Sequence, residues 1–135
     1  MTIRESDRLW FITSVANPCG YQSRYNLYDN FVDHIINTVR ANLLTVECAF
    51  DDEDHHLKDD PSSSNYKIVR VRSKSRLWNK ENLCGIGIRH IPKSARYVCW
   101  CDADIEFLQG ASIKDDIIRG LESFDVVSVS RQLWI

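Results

Sequence analysis

Two carboxylates one residue apart, Asp102 and Asp104, directly follow an apolar segment at residues 97–101. An apolar run bounded by polar residues is typical of a buried β-strand. Once the chain leaves the sheet, both carboxylates can face one cleft, and such oxygen ligands suit Mg²⁺ or Mn²⁺. A cation held there would neutralise the charge that builds on a leaving diphosphate. The alternative is a chance Asp-Xaa-Asp in a surface turn.

Hydrophobic periodicity predicts the elements that position these carboxylates. Helical spacing of apolar residues extends over residues 26–43, a weaker helix over 79–91 contains Gly85 and Gly87, and Ser112 with Asp115 resembles a capping box that starts a third helix. The predicted strands are residues 9–15, 44–50, 66–71, 97–101 and 126–129.

This alternation predicts an α/β fold, an open, mostly parallel Rossmann-like sheet with helices on both faces. In such sheets ligands bind at the carboxyl ends of the strands. Asn17 follows the first predicted strand and Asp51 the second, as Asp102 and Asp104 follow the fourth. We therefore expect all four side chains to converge on one edge of the sheet.

Composition narrows the class of protein. The chain has 135 residues, enough for a single domain over 1–135, with a net charge of −2. Its basic and acidic residues are mixed, which argues against nucleic-acid binding. No apolar stretch has the length of a transmembrane segment, and the first residues lack a signal-peptide pattern. These features favour a cytoplasmic protein.

The five cysteines are an odd number without zinc-type spacing. Cys99 and Cys101 would share one face of a strand, so we interpret them as small buried hydrophobic residues. The run at residues 51–56 contains four acidic residues and two histidines that could bind a metal, but clustered acids in a loop are more typical of a solvated segment. His34 and His90 stand alone, and we assign them no chemistry.

Two segments carry a resemblance to a known family. Residues 80–88, Lys-Glu-Asn-Leu-Cys-Gly-Ile-Gly-Ile, and residues 97–107, Tyr-Val-Cys-Trp-Cys-Asp-Ala-Asp-Ile-Glu-Phe, resemble the centre of inverting GT-A glycosyltransferases related to family 2. In that family a lysine-bearing helix packs on the nucleotide and an apolar strand delivers the Asp-Xaa-Asp motif. The opening strand and the strand ending near Asp51 fit the same plan. The resemblance implies an inverting transferase that moves a sugar from a nucleotide diphosphate sugar to a carbohydrate or glycoconjugate acceptor.

The resemblance also implies roles around the diphosphate. Asp104 would coordinate the Mn²⁺ or Mg²⁺ that bridges the phosphates, and Asp102 would hold the ribose or share the metal. Lys80 would face the nucleotide or its phosphates, with Arg76 as a second cation; both could instead lie at a solvated helix start. Trp78 would cap the base or, more simply, anchor the helix in the core.

The base would lie at the ends of the first two strands. By the same resemblance, Ala16 and Asn17 would line it, together with Asp51 or Glu47.

Two departures from the family pattern limit the resemblance. Family members often have Asn where this chain has Gly85, so a helix contact to the donor is in doubt. Such transferases also continue well beyond the fifth strand, into a part that supplies the acceptor surface and the general base.

The alternative function is therefore a non-catalytic nucleotide-binding remnant, or a subunit that self-associates or needs a partner chain. A phosphatase of the haloacid dehalogenase type is disfavoured, because there the Asp-Xaa-Asp motif follows the first strand.

Overall fold

A parallel sheet forms the centre of the computed structural model, which describes residues 3–77 and 79–129. Within that part of the chain the strands are β1 (Leu9–Ala16), β2 (Asn42–Phe50), β3 (Tyr66–Ser73) and β4 (Tyr97–Trp100). Their order in the sheet is β3-β2-β1-β4, and every neighbouring pair is parallel. The predicted parallel α/β sheet is thus confirmed, and all four carboxyl ends point to one edge.

In the described part of the chain, three α-helices connect and cover the strands. They are α1 (Gln22–Asp33), which continues into a π-helical segment (His34–Val39), α2 (Lys80–His90) and α3 (Ile113–Ser123). Short 3₁₀ turns form at Glu5–Arg8 and Gly110–Ser112. The π-helical segment ends at Val39, and the next residue, Arg40, has a φ of 58° that turns the chain towards β2.

Successive side chains of β1 point to opposite faces of the sheet, so they belong to two separate parts of the hydrophobic core. Leu9 and Phe11 pack with α1, the π-helical segment and α3, whereas Trp10 and Ile12 pack with α2. Helices therefore lie on both faces, as predicted. Because α1 and α2 cover opposite faces, their first turns lie on opposite sides of the sheet edge that carries the aspartates.

Three local predictions were wrong: the bounds of the first helix, the capping box at Ser112 and the strand at residues 126–129. The first helix begins at Gln22 and its π-helical extension ends at Val39, because the apolar residues that follow belong to β2. Ser112 has helical backbone angles and its hydroxyl donates to the carbonyl of Gln109, so it does not form a capping box.

Residues 126–129 are not a strand either. Val127 packs against α3 at Gly120, where an added Cβ would meet Val127 Cγ1 at 2.9 Å, and Val126 is 86% exposed. Contact with a helix therefore accounts for Val127 but not for the exposed Val126.

No helix in residues 3–77 and 79–129 combines the length and the apolar character needed to cross a membrane.

Candidate functional site

A cavity of about 440 Å³ lies at the carboxyl edge of the sheet, between the first turns of α1 and α2. Its polar lining comes from Ser14, Arg24, Tyr28, Arg76, Asn79, Lys80, Asp102 and Asp104, and its apolar lining includes Val15, Ala16, Leu27, Phe50, Leu77 and Leu83. A volume in this range accommodates a small organic ligand, and mixed apolar and charged walls are typical of such sites.

Asp102 and Asp104 lie on the wall that follows β4. The backbone N–H of Cys101 donates to the carbonyl of Ile12 at 3.1 Å, so the chain leaves the sheet directly before the first aspartate. Both aspartates are exposed, and Asp102 forms an ion pair with Lys80. Of the four side chains expected to converge at this edge, Asp102 and Asp104 line the cavity, whereas Asn17 and Asp51 do not.

The carboxylates of Asp102 and Asp104 fit a metal ion that is bound jointly by the protein and by a ligand. Among the described residues, no group of three or more His, Cys, Asp or Glu side chains is arranged to hold an ion. Mg²⁺ is usually held by one or two carboxylates together with substrate phosphates, and rarely by an all-protein cage. The two aspartates thus match a cation that arrives with a phosphate-bearing ligand.

Lys80 is the first residue of α2 and brings a positive charge to the same wall. Its ammonium nitrogen pairs with Asp102 and lies 5.5 Å from the ring centre of Trp100. An ammonium beside an aromatic face is attracted to the ring, which helps to fix its position. The resemblance implied that Lys80 faces the nucleotide or its phosphates, and its contact with Asp102 was not predicted.

Arg76 connects the loops that surround the cavity. Its guanidinium donates to the carbonyl of Pro18 at 3.0 Å, to Glu53 Oε1 at 3.1 Å and to Asp51 Oδ2 at 3.4 Å, and it lies over the Phe50 ring. The hydrogen bond with Glu53 is the main reason that the pKa of Arg76 is raised. Arg76 therefore lines the cavity with a charge already matched by two carboxylates, and Asp51 lies at the rim as its partner.

Asn17 and Glu47 lie outside this cavity and line a small adjacent cleft with Tyr25. Asn17 is 8% exposed, and its side chain closes the loop after β1 by donating to the carbonyl of Tyr21 and accepting from that residue's N–H. Ala16, its neighbour, does line the main cavity.

Glu47 is 3% exposed and supports the segment that follows β2. Its Oε2 accepts the backbone N–H groups of His56 at 2.6 Å and Leu57 at 3.1 Å, and Arg70 Nε lies 3.7 Å from Oε1. A carboxylate with these partners stabilises a loop.

Arg24 is a cavity residue that the sequence patterns do not single out. It is exposed in the first turn of α1, and its side chain makes no hydrogen bond or ion pair with the described residues. Because the predicted helix began at residue 26, Arg24 fell in a loop. Starting α1 at Gln22 places Arg24 one turn before Tyr28, on the face towards the cavity.

Tyr28 forms the buried floor beside Arg24. Its hydroxyl donates to Thr45 Oγ1 at 2.9 Å and shares a hydrogen bond of 2.6 Å with the Tyr66 hydroxyl. Burial raises the pKa of Tyr28 far above its usual value, so the hydroxyl stays neutral. Tyr28 therefore contributes shape and a neutral hydroxyl to the wall of the site.

The other candidate ligands are engaged elsewhere. Cys99 and Cys101 are buried, as predicted, and the hydrogen bond between their thiols lowers the pKa of Cys99 and raises that of Cys101. Residues 51–54 are exposed, as expected of a solvated run, but His55 Nε2 contacts the carbonyl of Val71 and the His56 ring lies 4.9 Å from that of Tyr25. Trp78 lies outside the described residues.

Comparison of the chain with protein-family models, with curated proteins and with solved structures gave no match.

Proposed function

We propose that this protein is a glycosyltransferase, of the inverting GT-A type that the sequence resembles, and that the cavity binds its nucleotide diphosphate sugar donor. The observation that carries the proposal is the meeting of Asp102, Asp104 and Lys80 on one wall of a cavity at the carboxyl edge of a parallel sheet. Carboxylates for a cation and cations for phosphate in one cleft are the donor set that a metal–diphosphate ligand requires.

Each charged residue has a separate task in this proposal. A Mn²⁺ or Mg²⁺ ion bound with the donor supplies Lewis-acid stabilisation of the leaving diphosphate. Asp104 and Asp102 provide the protein oxygens for that ion, while Lys80 and Arg24 add positive charge on the two sides of the cavity. Arg76 holds the loops around the ligand in place through Pro18, Asp51 and Glu53, and the apolar lining excludes water from the base and sugar.

A non-catalytic nucleotide-binding protein is the second candidate. Transfer to an acceptor hydroxyl needs a general base, and among the described residues that line the cavity the only carboxylates are Asp102 and Asp104, both committed to the donor. Turnover of a sugar donor by the purified chain, followed as release of UDP or GDP with and without a carbohydrate acceptor, distinguishes the two. Metal-dependent binding without turnover favours the second candidate.

The central test is the effect of Asp104→Asn on nucleotide binding. We expect the wild type to bind UDP or GDP more tightly with Mn²⁺ than without it, and Asp104→Asn to lose at least about tenfold in affinity, or about 1.4 kcal/mol, in the presence of the metal only. Isothermal titration with and without Mn²⁺ measures both quantities.

Glu106→Gln is the matched control, because Glu106 is an equally exposed carboxylate two residues further along that does not line the cavity. Equal losses of affinity in the two variants, or a nucleotide affinity that is the same with and without Mn²⁺, would contradict the proposal.

Arg24 gives an independent prediction from the opposite wall. A charge-assisted hydrogen bond to phosphate is worth about 1.5–3 kcal/mol, so Arg24→Gln should weaken UDP or GDP binding roughly tenfold or more, and the loss should shrink as salt screens the charge. Titrations at low and high ionic strength measure it. Arg119→Gln, which removes an exposed arginine from α3, is the control and should leave the affinity unchanged.

A further inference from the structure

The loop that carries the two aspartates is fixed at both of its ends. At its start, the N–H of Cys101 donates to the carbonyl of Ile12 in β1. At its end, the N–H of Phe107 donates to Nε2 of His34 at 2.8 Å. Asp104 lies three residues before Phe107, so at most about 10 Å of extended chain separates it from this second attachment. The position of Phe107 therefore limits where the Asp104 carboxylate can lie.

The second attachment is built from aromatic packing as well as the hydrogen bond. Phe107 is 7% exposed; its ring centre lies 5.5 Å from that of Phe11 in an edge-to-face arrangement and 6.2 Å from the stacked ring of His34. His34 is the first residue of the π-helical segment that extends α1. Nε2 is the acceptor of this hydrogen bond, so the contact depends on the lone pair of this ring nitrogen.

We propose that His34 is a positioning residue for the metal site, and that its Nε2 holds the Asp102–Asp104 loop where both carboxylates face the cavity. This inference rests on the proposed function for its metal and nucleotide. The physical reason is that a ligand loop must be held within a fraction of an ångström of its productive position, and that groups behind the ligands typically change metal affinity about 10–100-fold when they are removed.

Two substitutions separate the hydrogen bond from the packing. His34→Phe keeps a stacked ring but has no acceptor, whereas His34→Gln places an amide oxygen near the position of Nε2. We expect His34→Phe to weaken Mn²⁺-dependent UDP or GDP binding about 10–100-fold while binding without metal is unchanged. His34→Gln should stay within a few-fold of the wild type. Should His34→Phe not fold, His34→Leu serves as the acceptor-free variant.

Amide hydrogen exchange over residues 102–107 tests the positioning role of His34 in the absence of any nucleotide. Faster exchange there in His34→Phe, with near-normal exchange in His34→Gln, supports the positioning role. If this pattern appears while the wild type binds neither UDP nor GDP, the proposed function alone is refuted. The role of His34 is overturned if His34→Phe shows unchanged exchange, or if its metal-dependent nucleotide affinity equals that of the wild type. This holds for either nucleotide.

Discussion

Glu47→Ala is expected to lower the free energy of unfolding by about 3 kcal/mol. The carboxylate is buried beneath the segment after β2 and accepts the N–H groups of His56 and Leu57. Its removal leaves the buried N–H of Leu57 and the part-buried N–H of His56 without this acceptor, and an unsatisfied buried donor costs about 1–3 kcal/mol. Arg70 adds little to the loss because it remains partly exposed to water. Chemical denaturation followed by tryptophan fluorescence measures the change.

Glu47→Gln distinguishes this supporting role from the base contact that the family resemblance implied. The amide keeps an oxygen acceptor for the two N–H groups, so we expect a smaller loss of stability and unchanged relative affinities for UDP and GDP. If Glu47 contacts the base instead, Glu47→Gln would alter the preference between the two nucleotides at nearly normal stability. That result would contradict the role that the structure gives to this carboxylate.

The fold was predictable because its signals are local. Continuous apolar runs such as residues 9–15 and 44–50 are long enough to identify buried strands, and strands that alternate with helical spacing favour a parallel sheet. From the parallel sheet it follows that residues after the strands share one edge, and Asp102 and Asp104 lie there at the cavity, whereas Lys80 was expected beside the ligand only from the family resemblance. The run at residues 126–129 has the same local character, but Val127 packs on α3 and Val126 is exposed.

Side-chain partners were not predictable from residue type. Asn17 and Arg76 both have groups that could recognise a nucleotide, yet Asn17 closes its own loop and Arg76 is engaged by Asp51, Glu53 and Pro18. The partners of Arg76 lie 23 to 58 residues away in the chain, so no short-range pattern records them, whereas Asn17 bonds to Tyr21 only four residues further on. Arg24 shows the converse case, because moving a helix start by one turn decided whether it faced the cavity.

Gly85 and Gly87 show how a feature that weakens a sequence prediction can serve packing. Both glycines lower helix propensity, and both lie in α2. An added Cβ at Gly85 would meet nothing within 4 Å, whereas at Gly87 it would lie 2.8 Å from Ile12 Cγ2 and 3.1 Å from Val46 Cγ2. Gly87 thus marks the point where α2 rests directly on the sheet, while Gly85 has no such contact.

We therefore expect opposite effects from the same substitution one half-turn apart. Gly85→Ala should raise the free energy of unfolding by up to about 1 kcal/mol, through helix propensity alone. Gly87→Ala should lower it despite the same gain, and Gly87→Val should lower it by about 3 kcal/mol, because the buried branched side chains of Ile12 and Val46 have little room to move.

Since α2 begins at Lys80, forcing the helix away from the sheet should also weaken UDP or GDP binding in the Gly87 variants and leave it intact in Gly85→Ala. Denaturation curves and titrations on the same preparations measure both effects, and a stabilised Gly87→Ala would mean that α2 does not approach the sheet as closely as these distances require.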